Sequence, residues 1–302
     1  MTVEITRSKY HLYADDTQLY VHTAPNTSDV LDATNKLNSD LDAISQWSHK
    51  HGLILNPKKS VTITCGTKHQ VDNINIINPA IKINDALVPR EKTVRNLGLL
   101  MDENLKFEHH VQQKVGKCFG SLKTLYRIRP FLNAKIRYRL CNSLVLSQLQ
   151  YCDMVFGPCL FVKTIKAIQR VQNACLRFCY SIPRRDHITP YLVEKQILNM
   201  ENVRILKYSC FIYTLIHTQC PDYLHSKFDY KSYKRSFRHR GLLFNLPMYG
   251  LIGARGCFKH AAAKIWNDLP PPVRDAIVTT LPTFRKMCAA WLLVKQAGAA
   301  PV

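Results

Sequence analysis

Two adjacent aspartates near the start of the sequence, Asp15 and Asp16, are the residues with the clearest potential for chemistry. Carboxylates held side by side repel each other, and a divalent cation such as Mg²⁺ supplies the countercharge that they lack. Taken with Tyr13 and Ala14 alone, the pair fits two readings. It is either a metal-binding turn or an ordinary polar turn with two solvated aspartates, because Asp is a preferred turn residue.

Short strands are predicted on both sides of the two aspartates. Leu12 and Tyr13 precede them, and residues 19–21 follow them. These aromatic and aliphatic residues favour an extended backbone. The segment therefore predicts a β-hairpin that carries both carboxylates at its tip.

The next hundred residues predict a helix and several short strands. Apolar residues recur at helical spacing between Thr27 and Gly52, with acidic residues in the first turn and basic residues in the last. Further strands are predicted at residues 53–55 and 61–65, and short strands and loops over residues 68–96. This order predicts an α+β fold, in which a small antiparallel sheet packs against a helix.

From His109 onward the sequence predicts mainly helices. One apolar stripe runs through residues 111–126, a second through 134–155, and a third helix is predicted at Val162–Tyr180. The third helix has a basic face, which consists of Lys163, Lys166, Arg170 and Arg177. Such a face could follow nucleic-acid phosphates or could simply be a solvated surface.

The charge of the chain indicates a polyanionic partner. The net charge is +21, and residues 121–302 carry 28 Lys and Arg against 8 Asp and Glu. This favours nucleic acid over an anionic membrane, because the basic residues recur among aromatics over a long region. Within residues 227–240, the aromatic side chains suit base stacking and the basic ones suit phosphate contact, although a packing loop is the alternative. The basic residues predicted to bind there are Lys234, Arg235, Arg238 and Arg240.

Cysteine usage and hydropathy bear on the compartment. The eleven cysteines are odd in number and scattered, which does not indicate a disulfide framework. We therefore expect a reducing cytoplasm or nucleus, and no secretory signal is evident. The most apolar stretch, residues 143–162, is interrupted by polar residues and Pro158. No membrane span is expected.

Taken together, these segments resemble the reverse transcriptase of a non-LTR retrotransposon of the LINE or jockey-like type. The resemblance begins with the palm turn and continues through the following palm motif, the primer grip, the entry to the thumb and the C-terminal region. In chain order, the matching segments are Tyr13–Asp16, Leu55–Ser60, Asn96–Leu99, Asn104–His110, Gln169–Ala174 and Lys264–Pro270.

The resemblance implies RNA-directed DNA polymerase activity, with an RNA template and a DNA primer as partners. A primer 3′ hydroxyl would attack the α-phosphorus of a deoxynucleotide with the help of Mg²⁺. Asp15 and Asp16 would be the metal ligands, and Lys59 could protonate the leaving pyrophosphate, unless it is a plain surface lysine. The residues implied at the primer are Tyr13, Ala14, Leu97 and Gly98.

The resemblance also implies three regions and one departure from the family. Residues 1–108 would be a partial palm with the primer grip, 109–180 a helical thumb-like region, and 181–302 a basic, mainly helical C-terminal domain. Palms of this family carry a further metal-binding aspartate and fingers upstream of the turn, and Asp102 has no such role. We therefore expect a truncated polymerase that is inactive alone. The alternatives are a non-catalytic RNA- or DNA-binding protein that uses the basic region, and the product of a decayed element.

Overall fold

The computed structural model of the chain describes residues 5–231, 243–247, 257–274 and 280–298. The chain divides into two compact units, which we call the N-terminal unit, up to Lys106, and the C-terminal unit, from Phe107. Helices predominate among the described residues, together with three two-stranded antiparallel sheets. The predicted α+β class is confirmed, although the strands form three separate hairpins instead of one sheet. The predicted three-region division stays a prediction.

The first hairpin forms where the sequence predicts it. Its strands are β1 (Lys9–Tyr13) and β2 (Asp16–Tyr20), and Tyr13 pairs with Asp16, so that Ala14 and Asp15 alone make the turn. Ala14 has a φ of 52°, as a tight hairpin turn requires at its first central residue. All five residues of β1 are exposed, and no third strand joins the hairpin in the described part of the chain.

Helix α1 (Thr27–Lys50) follows the hairpin and confirms the first predicted helix. The Asn26 side chain caps it by accepting a hydrogen bond from the Asp29 backbone N–H at 2.9 Å. Gly52, with a φ of 69°, lies just beyond its end. The apolar residues that α1 buries are Val30, Ala33 and Ile44.

Two shorter hairpins complete the strands of the N-terminal unit. They consist of β3 (Lys82–Ile83) with β4 (Ala86–Leu87), and of β5 (Thr93–Asn96) with β6 (Leu99–Asp102). The turn between β5 and β6 contains Leu97, with a φ of 45°, and Gly98, with a φ of 81°. Two consecutive positive φ angles are typical of a type I′ hairpin turn, whose twist matches that of its strands.

Two predictions for the N-terminal unit are wrong. Residues 53–55 and 61–65 do not form the expected strands. A 3₁₀ helix at Pro57–Lys59 lies between them, and Thr62 makes a single parallel bridge to Arg90. A strand needs a ladder of hydrogen bonds to a neighbour. In the described part of the chain, this segment has that one bridge and no ladder.

The second error lies in the region expected to hold only short strands and loops. There the chain forms α2 (Lys68–Ile77). The Thr67 side chain accepts a hydrogen bond from the Gln70 backbone, and the Gln70 side chain accepts one from the Thr67 backbone, which is a capping box. Val71 and Ile74 are buried at helical spacing. The cap and this spacing override the strand preference of the isoleucines.

The C-terminal unit begins with α3 (Glu108–Ile128), which confirms the predicted helix after His109. The single helix predicted over residues 134–155 is wrong, because the left-handed backbone of Cys152, with a φ of 54°, interrupts it. The chain instead forms α4 (Ala134–Leu140), a π-helical turn (Cys141–Leu146), α5 (Ser147–Gln150) and α6 (Asp153–Phe156).

Helix α7 (Val162–Tyr180) has the bounds that the sequence predicts. Its buried face includes Ile168, Val171, Cys175 and Phe178. The remaining described helices are α8 (Thr189–Glu194), α9 (Met200–Thr218), α10 (Asp222–His225), α11 (Phe258–Asn267), α12 (Pro271–Arg274) and α13 (Leu281–Gly298). Helix α9 packs against α11 and α13 around an aromatic core that includes Trp266 and Phe284.

Candidate functional site

The tip of the β1–β2 hairpin presents both predicted metal ligands to solvent. Asp15 and Asp16 are exposed, and neither side chain forms a hydrogen bond or an ion pair with a described residue. The neighbouring Tyr13 is 65% exposed, and Ala14 is also exposed. Two carboxylates and an aromatic ring are therefore accessible to a ligand at one end of the hairpin.

Tyr13, Asp16 and Gln18 share one face of this hairpin. Tyr13 lies directly opposite Asp16, and Gln18 is two residues further along the same strand. The Gln18 Nε2 donates a hydrogen bond to the Asn96 Oδ1 at 2.6 Å. Asn96 directly precedes the Leu97–Gly98 turn. This contact therefore places the segment predicted to grip the primer beside the hairpin face that carries Tyr13 and Asp16.

Asp40 of α1 anchors the segment that leads into the hairpin. Its carboxylate is buried and accepts hydrogen bonds from the backbone N–H groups of Thr6, Arg7 and Ser8 and from the Ser8 hydroxyl. Burial by itself would raise the pKa of Asp40, but these hydrogen bonds outweigh it and hold the pKa below its usual value. The start of β1 is thereby fixed to α1.

The donor atoms of the hairpin suit Mg²⁺ in type but are few in number. Mg²⁺ prefers hard oxygen ligands in octahedral geometry. In the parts of the chain that the structure describes, no group of three or more His, Cys, Asp or Glu side chains could hold a metal ion. The Asp102 carboxylate accepts a hydrogen bond from the Lys106 backbone N–H at 3.1 Å. Asp15 and Asp16 offer carboxylate oxygens of the type that Mg²⁺ accepts, and their predicted role as metal ligands stays a prediction.

Lys59 lies exposed at the end of the 3₁₀ helix that replaces the predicted turn. The Asn56 side chain shapes this helix by accepting a hydrogen bond from the Lys58 backbone N–H at 3.0 Å. No hydrogen bond or ion pair connects Lys59 with Asp15 or Asp16 among the described residues. The predicted role of Lys59 therefore stays a prediction.

Three of the four basic residues predicted on α7 are exposed. Lys163 forms an ion pair with the Glu108 Oε1 at 3.0 Å and is still 71% exposed. Arg170 donates a hydrogen bond from its Nε to the Lys166 carbonyl oxygen at 3.4 Å, within the same helix. A surface ion pair of this kind contributes about 0–1 kcal/mol, so it does not prevent contact with a phosphate. Lys163, Lys166 and Arg170 form a basic surface on α7.

The fourth basic residue, Arg177, is half-buried and organises the loop that follows α7. Its guanidinium donates hydrogen bonds to the carbonyl oxygens of Pro183, Arg184 and Asp186 at 3.4, 3.4 and 2.9 Å. These bonds give Arg177 a structural role that its helical spacing did not predict.

Two arginines that the sequence did not single out hold the end of α7. The Arg129 Nε donates to the Phe178 carbonyl oxygen at 3.0 Å, and the Arg137 Nη1 donates to the Cys179 carbonyl oxygen at 3.3 Å. Positive charge at a helix C-terminus is stabilising. Part of the basic excess in this unit therefore supports the fold.

A buried ion pair was also missed. Asp153 and Arg204 form a bidentate pair with distances of 2.7 and 2.9 Å, and their side chains are 6% and 9% exposed. Gly157 leaves room for it, because a Cβ atom there would lie 2.3 Å from the Arg204 Nε. One feature of the sequence could have indicated this pair: an acidic residue lies within the most apolar stretch. A buried acidic residue usually requires a charged partner.

The remaining predicted nucleic-acid ligands, Lys234, Arg235, Arg238 and Arg240, lie outside the described residues. None of the helices formed by the described residues combines the length and apolar character needed to cross a bilayer.

Comparison with curated proteins shows three similar proteins. Over 148 residues the chain is 25% identical to the RNA-directed DNA polymerase from mobile element jockey of Drosophila melanogaster. Over 178 residues it is 23% identical to the Retrovirus-related Pol polyprotein from type-1 retrotransposable element R1 of Nasonia vitripennis. The jockey polymerase of Drosophila funebris is 24% identical over 150 residues. The chain is distantly related to retrotransposon reverse transcriptases.

These reverse transcriptases are longer than the chain. The alignments cover 48%, 56% and 48% of the chain, and they span 15% of each jockey polymerase and 52% of the R1 polyprotein. No protein-family model matches the chain, and no solved structure matches it significantly.

Proposed function

We propose that the chain is the part of an RNA-directed DNA polymerase that carries the palm hairpin, the thumb and the C-terminal region. The hydrogen bond between Gln18 and Asn96 is the observation that supports this most strongly, because it joins the strand that begins at Asp16 to the residue that precedes Leu97 and Gly98. A primer end at this position would meet an aromatic ring, a small side chain and a glycine backbone. The residues we propose to contact it are Tyr13, Ala14, Leu97 and Gly98.

Asp15 and Asp16 would hold Mg²⁺, which supplies positive charge at the reacting phosphates when it is bound. Lys59 would donate a proton to the leaving pyrophosphate. A pair of Mg²⁺ ions held by these two adjacent carboxylates alone would lack a further bridging ligand. We therefore propose that the chain by itself does not carry out templated synthesis, and that activity needs a further carboxylate beyond those of the described residues.

Binding and extension of a DNA primer recessed on an RNA template test this function. The chain should bind the recessed duplex at low salt but should not extend the primer with Mg²⁺ and deoxynucleotides. The proposed inactivity would be contradicted by robust primer extension that is abolished by Asp15→Ala. The exposed control Asp72→Ala should leave such extension unchanged. Failure to bind any primer–template at low salt would contradict the polymerase assignment itself.

A second candidate function is nucleic-acid binding without catalysis. The basic excess after residue 120 and the exposed Lys166 and Arg170 favour it. Such a protein should bind single strands, blunt duplexes and recessed duplexes with similar affinity, since phosphate contacts carry no information about a primer end. A polymerase-derived chain should prefer the recessed duplex. Competition among these three ligands at one salt concentration separates the two functions.

A further inference from the structure

Four buried cysteines lie where α3, α7 and the π-helical turn pack in the C-terminal unit. They are Cys118 on α3, Cys141 at the start of the π-helical turn, and Cys175 and Cys179 one turn apart on α7. Each is at most 2% exposed. None of them has a part in the proposed polymerase function.

Two of the four thiols are in contact with each other. The Cys179 Sγ and the Cys141 Sγ lie 3.8 Å apart, whereas a disulfide requires about 2.05 Å. Cys118 is engaged elsewhere, because its thiol donates a hydrogen bond to the Val145 carbonyl oxygen at 3.3 Å. A disulfide between Cys141 and Cys179 would require a side-chain rotation that shortens this distance.

The packing around the pair is not completely filled. A small cavity of about 10 Å³, roughly the space of one water molecule, is lined by Cys141, Cys175 and Cys179. Cys141 also begins a π-helical turn, a rare irregularity that is frequent at functional sites.

The thiols differ in acidity. Hydrogen bonds from Cys175 and Cys179 lower the pKa of Cys141 despite its burial. The same contacts with Cys141, together with burial, raise the pKa of Cys175 and of Cys179. A thiolate is the nucleophilic form of cysteine.

We propose that Cys141 and Cys179 form a reversible disulfide that ties the π-helical turn to α7 when the protein meets a hydroperoxide. When the packing opens locally, the thiolate of one of the two cysteines attacks one peroxide oxygen, the O–O bond breaks, and the departing oxygen takes up a proton and leaves as an alcohol or water. The sulfur of the other cysteine then attacks the sulfenic sulfur. The S–S bond forms, the S–O bond breaks, and water leaves with the thiol proton. The two thiols thereby lose two electrons to the peroxide.

Peptide mapping of the full chain tests the pairing directly. The reduced protein is treated with hydrogen peroxide, its free thiols are alkylated under denaturing conditions, and it is digested with trypsin. Cleavage after Arg177 separates Cys175, in residues 171–177, from Cys179, in residues 178–184. We expect residues 140–163 linked to residues 178–184, with the link lost on treatment with dithiothreitol. Fragmentation within residues 140–163 identifies Cys141.

Two results would overturn the assignment. One is peroxide oxidation of the exposed Cys65 and Cys220 without any link between residues 140–163 and 178–184. The other is a link from Cys141 to Cys175. Both are read on the unaltered chain and do not depend on a variant that folds.

Variants test the consequence for stability. A crosslink that closes residues 141–179 restricts the unfolded chain, so peroxide should raise Tm by about 5–10 °C. Cys141→Ser and Cys179→Ser should each abolish the rise, whereas Cys220→Ser should keep it. A rise that persists without Cys141 would contradict the proposal.

Discussion

Gln18 and Asn96, 78 positions apart in the chain, join two hairpins through a hydrogen bond of 2.6 Å between their side-chain amides. Because Gln18 lies on the same strand face as Asp16, the bond connects the aspartate-bearing hairpin to the Leu97–Gly98 turn. Each hairpin alone has an ordinary tight turn. The hydrogen bond links the two turns into one local unit, to which the proposed function assigns the primer end.

The coupling between Gln18 and Asn96 can be measured. We expect Gln18→Ala and Asn96→Ala each to lower the free energy of unfolding, and the double variant to lose less than the sum, with a coupling of about 0.5–1.5 kcal/mol. Urea unfolding of the four proteins gives this value. Fully additive losses would show that the two side chains do not interact in solution.

Removing the Asp40 charge should loosen the start of β1. Asp40→Asn keeps the shape of the side chain but replaces the carboxylate that accepts hydrogen bonds from residues 6–8 with a neutral amide. We expect the free energy of unfolding to fall by about 1.5–3 kcal/mol at pH 7. The exposed Asp42→Asn on the same helix is the matched control and should change stability little. An equal effect of the two substitutions would contradict the anchoring role.

The Asp40 anchor also predicts a pH dependence. The pKa of Asp40 is lower in the folded chain than the ordinary value of 3.8. Its contribution is therefore complete above about pH 4–5 and is lost as the pH falls through the folded pKa. The stability difference between the parent and Asp40→Asn, measured by urea unfolding from pH 7 down to pH 3, should shrink at the acid end. If the stability difference between the parent and Asp40→Asn stayed constant from pH 7 to pH 3, the ionised Asp40 carboxylate would not be its cause.

Two glycine substitutions should have opposite effects. In Gly157→Ala the new methyl group would collide with the Arg204 guanidinium and disturb its pair with Asp153, and we expect a loss of about 3 kcal/mol. Gly120→Ala, on the exposed face of α3 with nothing near its Cβ position, should gain about 0.5–1 kcal/mol. Thermal unfolding measures both. If Gly157→Ala did not change the thermal stability, the Arg204 guanidinium would not be packed closely against Gly157.

The basic residues of α7 should divide into two groups. Lys166→Ala and Arg170→Ala should weaken nucleic-acid binding without unfolding the protein, and each should reduce the salt dependence of log Kd by about one. Arg177→Ala should mainly lower stability, because its guanidinium holds the loop after α7. Binding titrations at several salt concentrations and thermal unfolding separate the groups. The division would be contradicted if Arg177→Ala weakened nucleic-acid binding and left the thermal unfolding of the protein unchanged.

Local signals in the sequence were enough to predict the first hairpin, α1 and α7. The Asp pair between strand-forming residues, the end of α1 before Gly52 and the apolar spacing of α7 each lie within one element. Residues 53–65 were predicted wrongly because a strand depends on a distant partner, and the described residues provide only one bridge. Helix α2 was missed although its capping box, Thr67 with Gln70, is a local signal that the sequence contains. Long-range contacts could not be predicted. Three contacts form only after folding: Asp40 with residues 6–8, Gln18 with Asn96, and Asp153 with Arg204.

Cleavage of the chain by bound iron tests the central claim most directly. Fe²⁺ accepts carboxylate ligands, and with ascorbate and peroxide it releases hydroxyl radicals that cut nearby backbone. We predict cuts at residues 13–18 and, because of the Gln18–Asn96 contact, at residues 96–98. Excess Mg²⁺ and the double substitution Asp15→Ala, Asp16→Ala should suppress both sets, whereas Asp72→Ala should not. Cleavage that misses the hairpin, or that survives the double substitution, would contradict a metal site at this turn.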